Sequence, residues 1–176
     1  QEQKEFYTQS LTDNGDAFTQ QFVALPGHSE HQTGLAVDLG IRKEDIDFIR
    51  PDFPYTGMCK IFRQHSIRYG FIERYPKGKE NITGIAHEPW HFRYVGYPHA
   101  AIMMEKDFCL EEYINFLKQF RYGDAPYFWR TENSDIAISY IAANGNDTQF
   151  QIAEDISYSI SGNNVDGYII TEWRQV

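Results

Sequence analysis

A compact domain that mixes helices and strands, followed by a small β appendage, is the architecture the sequence predicts. Three observations carry this expectation. Helix-period and strand-like segments alternate up to about residue 123. From Asp124 the texture changes to short alternating stretches set apart by turn signals. The 176 residues, 41% of them hydrophobic, suffice for one compact domain with its own core.

The elements follow in chain order. Residues 2–11 (EQKEFYTQSL) place Phe6, Tyr7 and Leu11 on one helical face, ahead of the turn-rich TDNGD. The apolar run Gln21 to Leu25 closes at Pro26-Gly27, and Thr33 to Gly40 has the density of a short strand. Ile41 to Ile49 (IRKEDIDFI) is amphipathic and reads as a helix, with its acidic residues on a solvated face. Cys59 to Tyr69 is a second helix, stopped by Gly70. Gly70 to Tyr75 and Ile82 to His87 read as extended pieces, and Trp90 to Tyr97 as a core strand. Cys109 to Tyr122 sets Leu110, Tyr113, Ile114 and Leu117 on one apolar helical face, ended by Gly123. Beyond it, DIAISYIA, TQFQIA, YSIS and GYIITEW, divided by NGND and GNNVDG, read as two hairpins. The expected domains are therefore 1–123 and 124–176.

Charge narrows the function classes. Sixteen Lys and Arg stand against 25 Asp and Glu, a formal net charge of −9, which repels phosphate backbones and anionic membranes. No nucleic-acid partner is expected, and no apolar run is long enough to span a bilayer. Cys59 and Cys109 lack CxxC spacing and read as free buried thiols. The chain begins at Gln1 rather than Met, as a processed form or a part of a longer protein would.

Two short motifs carry chemistry. In the first, SEHQTGLAVD, His31 and Asp38 offer an imidazole and a hard carboxylate, with small Gly34 and Ala36 between them to let the chain approach an ion closely. The second, Glu88-Pro89-Trp90-His91, adds another imidazole and another carboxylate. His31, Asp38 and His91 together would hold zinc and leave a fourth tetrahedral position open, the mark of a catalytic site. Glu88 is the candidate general base. Residues three apart on a regular strand face opposite ways, so Glu88 and His91 converge only through a kink, for which Pro89 supplies a reason. His28 and His87 beside the motifs are alternative ligands, and His65 and His99 are expected at the surface. Trp90, Phe92 and Tyr94 read as core packing.

SEHQTGLAVD matches SxHxxGxAxD at every fixed position and EPWH matches ExxH, so the chain resembles the zinc D-Ala-D-Ala peptidases of the VanX, VanY and VanXY type. VALPGHSEHQTGLAVDLG, IDFIRPDFPY and GIAHEPWHFRYVGYPH look like the VanXY branch of vancomycin-resistance clusters over roughly residues 2 to 120, and SGNNVDGYIITEWR resembles the end of VanG-type members. The resemblance implies an α+β fold of the hedgehog/D,D-peptidase kind: a small antiparallel sheet flanked by helices, with a C-terminal β appendage. It also implies Zn2+ on His31, Asp38 and His91, with Glu88 as base and Ser29 binding substrate. The substrates implied are D-Ala-D-Ala dipeptide and pentapeptide muropeptide precursors, and the location the cytoplasm, or membrane-anchored outside it if VanY-like. The family arginine lies in an SGYRS segment upstream of an EQ pair. Glu2-Gln3 resembles that pair, which would put the arginine before Gln1 and Gln3 near substrate. A catalytically impaired zinc-binding module of the same fold and an L-Ala-D-Glu endopeptidase are the alternative readings.

Overall fold

The computed structural model describes residues 2–131, 134–145 and 147–174, which form two compact units, Gln1–Leu110 and Glu111–Val176. The fold is α+β, with an antiparallel sheet in each unit. Asp124, where the texture of the sequence changes, falls inside the second unit.

In the first unit, helices α1 (Glu2–Asn14) and α2 (Asp16–Phe22) are separated at Gly15, whose φ of 81° no helix accommodates. A buried hydroxyl pair, Ser10 to Thr19 at 2.9 Å, holds the two helices together. The sheet has the order β1-β3-β2, with β1 at Ala36–Asp38, β2 at Phe71–Tyr75 and β3 at Glu88–Tyr94. Alternation along β3 sends Trp90 and Phe92 to one face, where they form the core with Phe53 and Cys59. Helix α3 (Gly57–Ser66) supplies Cys59 to this core, and Phe53 meets Phe92 edge-on at 5.6 Å. His91 and Arg93 are left for the opposite face. Five of the seven residues of β3 are buried, as a central strand covered on both faces requires, whereas Tyr94 at its end is exposed rather than in the core.

A tight closure joins α3 to the sheet. Gly70 has a φ of +81°, and a Cβ there would lie 2.6 Å from the Gly96 Cα. Its carbonyl accepts the amides of Val95 and Gly96. Gly70→Ala combines left-handed strain with a backbone clash and is expected to cost about 3 kcal/mol, read as a lower urea midpoint with an unchanged m value.

The second unit carries α6 (Leu110–Leu117) and a four-stranded antiparallel sheet of order β4-β5-β7-β6. Its strands are β4 (Tyr127–Arg130), β5 (Asp135–Ala142), β6 (Ser157–Gly162) and β7 (Gly167–Arg174). Phe116 of α6 meets Tyr127 at 5.0 Å. Two hairpins are present, but TQFQIA is not a strand, and the fourth strand is Tyr127–Arg130, which pairs with β5.

Other local expectations also fail for identifiable reasons. Ile41 to Ile49 is irregular, because the Asp47 carboxylate accepts the amides of Ile49 and Arg50 at 2.9 Å and Ile41 donates to the Asp52 carbonyl. Ile82 to His87 does not extend: Glu80–Thr83 is a single helical turn, α4, closed by Gly84 at a φ of 72°. His99 opens α5 (His99–Lys106) and is half-buried rather than on the surface, whereas His65 is exposed. Cys59 and Cys109 are both free and buried, as expected. Among the described residues no helix is long and apolar enough to cross a membrane.

Candidate metal centre

The site lies on the face of the first sheet turned away from the aromatic core. Antiparallel pairing sets Asp38 directly opposite His91, so two residues far apart in sequence share one face. The Asp38 Oδ1 is 2.9 Å from the His91 Nδ1. A one-turn 3-10 helix, Glu30–Thr33, delivers His31, whose Nε2 lies 3.3 Å from the other Asp38 oxygen. Gly34 ends that turn with a φ of 72°, and the chain then enters β1. Ligand atoms of His31, Asp38 and His91 all lie within 4.8 Å of one another. Two imidazoles and one carboxylate at this spacing fit zinc.

Glu88 reaches the same place. Between the pairs Glu73–Phe92 and Tyr75–Glu88, one residue of β2, Arg74, faces three of β3, Pro89 to His91, and this irregularity swings Glu88 round. Its Oε2 comes to 3.9 Å from the His91 Nδ1. The kink is held from behind: the Arg63 guanidinium donates to the Pro89 carbonyl and, at 2.9 Å, to both the Phe53 carbonyl and the Glu73 carboxylate. Tyr55 ties Glu73 to His87, with its hydroxyl 2.8 Å from the His87 Nε2. His87 therefore belongs to the scaffold, while His28, Ser29 and Gln3 line the pocket. The Gln3 amide donates to the Ala24 carbonyl at 2.8 Å.

Three residues that the sequence reading passed over complete the site. Glu30 directly precedes His31, with its carboxylate 2.8 Å from the Arg74 Nε and 3.2 Å from Arg93. Its Oε2 is 3.5 Å from the His91 Nε2. The available signals were a carboxylate beside a candidate ligand and an arginine in each of two apolar strands, since a buried guanidinium needs an anion.

Electrostatics sort the acids. Burial disfavours the charged form of Asp38, but hydrogen bonds from His31 and His91 prevail and bring its pKa down to about 2. Glu30 is likewise opposed by burial, yet His91, Arg74 and Arg93 lower it to about 2. Glu88 goes the other way: burial, reinforced by the charges of Asp38 and Glu30 and only partly opposed by His91, pushes it up to about 8. For His91, burial favours the neutral ring, but the hydrogen bonds to Asp38 and Glu30 raise it to about 9.

These shifts predict the pH dependence of the metal-free protein. His91 and Glu88 both have folded pKa values above their ordinary ones, 6.5 and 4.5. Each thus contributes stability that is complete below its ordinary value and is lost as pH rises through the folded one. Between pH 6.5 and about 9 the melting temperature in chelator is expected to fall. Saturating zinc should widen the gap between loaded and free protein over the same interval, because a ligating imidazole nitrogen must first lose its proton. Thermal melts from pH 6 to 9.5, with and without zinc, check both trends.

Three converging donors with a buried acid of raised pKa beside them define a candidate mononuclear metallohydrolase centre. The chain belongs to the VanY D-alanyl-D-alanine carboxypeptidase family, whose sequence model matches residues 1–97. It is 52% identical over 119 residues to VanXYC of Enterococcus gallinarum, a bifunctional D-Ala-D-Ala dipeptidase and D-Ala-D-Ala carboxypeptidase, a match covering 67% of this chain and 63% of that protein. The structure of the D,D-dipeptidase VanXYg in complex with a D-Ala-D-Ala phosphinate analogue superposes with a TM-score of 0.94 at 55% identity, covering 98% of this chain and 69% of that one. A VanY D,D-pentapeptidase from a VanB-type cassette, in complex with Zn(II), matches at 34% identity and a TM-score of 0.52, over 64% of this chain and 65% of the other. The chain thus spans less than two thirds of the length of VanXYC.

Proposed function

We propose that this protein hydrolyses D-Ala-D-Ala dipeptide, the terminal D-Ala of peptidoglycan pentapeptide precursors, or both, with zinc held by His31, Asp38 and His91. The observation that carries the reading is the position of Glu88, buried at the edge of the three donors with its pKa raised towards neutrality. When bound, zinc supplies Lewis acidity that polarises a peptide carbonyl and makes a water acidic near neutral pH. Glu88 takes the proton from the attacking water and gives it to the departing amine of the terminal D-Ala. A general acid–base group must lie within reach of both and titrate near the working pH. Ser29, on the pocket wall, is placed to bind the peptide, and Gln3 lines the same wall.

Size supports a short substrate end. The pocket encloses about 130 Å³, small beside the roughly 300–1,000 Å³ of sites that swallow drug-sized ligands. It suits the last residues of a peptide rather than a whole stem. Likeness to the dipeptidases and carboxypeptidases named above points to D-Ala-D-Ala as that end.

The test is release of free D-Ala by the zinc-loaded chain from D-Ala-D-Ala and from a pentapeptide precursor, each with a Glu88→Ala control. Release that the control lacks supports the reading, and the ratio of the two rates assigns the dipeptidase and carboxypeptidase shares. Stoichiometric zinc without release from either substrate would favour a zinc-binding module. Cleavage confined to an L-Ala-D-Glu muropeptide would replace the reading with an endopeptidase.

A further inference from the structure

Of the two ring nitrogens of His91, only one can face the ion. Nδ1 lies 2.9 Å from Asp38 and 3.9 Å from Glu88, whereas Nε2 points away, 3.5 Å from the Glu30 Oε2. The His91 ring is buried, so the choice between its nitrogens is made by protein groups rather than by water. Among the described residues, Glu30 is the hydrogen-bond acceptor that Nε2 faces.

Glu30 is itself braced. Its Oε1 receives the Arg74 Nε at 2.8 Å, and its Oε2 lies 3.2 Å from an Arg93 nitrogen. Arg74 comes from β2 and Arg93 from β3, the strand that carries His91. The carboxylate is thus fixed to the sheet on which His91 sits, while its backbone belongs to the turn that delivers His31. One turn therefore supplies one metal ligand and the acceptor that orients another.

We infer that Glu30 is a positioning residue for the metal centre: held by Arg74 and Arg93, its carboxylate accepts the Nε2–H of His91 and thereby presents the Nδ1 lone pair to the ion. Partners of this kind fix the ring and its tautomer, and losing one typically weakens metal affinity by roughly 10–100-fold. This rests on the zinc reading given above.

The experiment compares wild type with Glu30→Ala and Glu30→Gln by zinc affinity in chelator competition, by the imidazole ¹⁵N and N–H resonances of the zinc-loaded proteins, and by melting temperature in chelator. In loaded wild type, His91 should show Nε2 protonated, with its N–H protected from exchange. Glu30→Ala should bind zinc about 10–100-fold more weakly and lose that protection. Glu30→Gln, which keeps the shape and an acceptor oxygen, should fall between the two, and it carries the test if the alanine variant does not fold. A lower melting temperature with zinc affinity within twofold of wild type and the His91 N–H still protected would show a merely structural salt link and overturn the inference. Wild type that fails to hold zinc would instead overturn the zinc reading itself.

Discussion

Glu88→Ala is expected to lower D-Ala release by about 10²–10⁴-fold while leaving zinc stoichiometry intact, since a positioned acid–base group contributes on that order. The residue is only 6% exposed, and its 3.9 Å approach to His91 is the outcome of the β3 irregularity rather than of regular strand geometry. Its carboxyl is held near pKa 8 by burial and by the charges of Asp38 and Glu30. A divalent cation at the three donors acts in the opposite direction and favours the carboxylate. The acidic limb of the kcat profile should therefore belong to Glu88 and disappear with it. Glu88→Gln, similar in shape but unable to accept a proton, should be equally impaired. Parallel titration of metal against both variants separates lost chemistry from lost zinc. Undiminished release in a zinc-replete Glu88→Ala protein would require a different base.

The parts of this arrangement that could be read from the sequence are those written as local chemistry. His31 and Asp38 share one short motif, and Glu88 and His91 share another. The register that places Asp38 opposite His91 was beyond reading, but the donor set demanded that something bring them together. Pro89 announced the kink, although what secures it, Arg63 reaching from α3 to the Pro89 carbonyl, depends on packing between elements distant in sequence. Glu30 was hidden for the opposite reason. It occupies a position that the SxHxxGxAxD pattern leaves open, and its meaning comes from Arg74 and Arg93, which adjoin it after the sheet forms. Residues 41–49 show where periodicity misleads. Their apolar spacing suits a helix, but the side chain of Asp47 satisfies two backbone amides in a turn that competes with one.

Asp38→Ala is expected to abolish stoichiometric zinc binding without unfolding the protein. The carboxylate spans the two imidazoles, 3.3 Å from His31 and 2.9 Å from His91, so its loss removes a ligand and the group that aligns the other two. A share of the apparent binding energy of structural zinc sites comes to about 3 kcal/mol per ligand, on the order of a hundredfold or more in affinity. The fold should tolerate the change, because β1 is a short edge strand and Asp38 is absent from the aromatic core. Without metal, the same substitution also removes the hydrogen-bond partner that does most to hold a proton on His91. The fall in melting temperature expected of metal-free wild type between pH 6.5 and about 9 should accordingly shrink in this variant. Metal content after dialysis and a melt series in chelator measure the two effects on one preparation. Retention of one zinc per chain by a folded Asp38→Ala protein would mean that the ion is held by other donors.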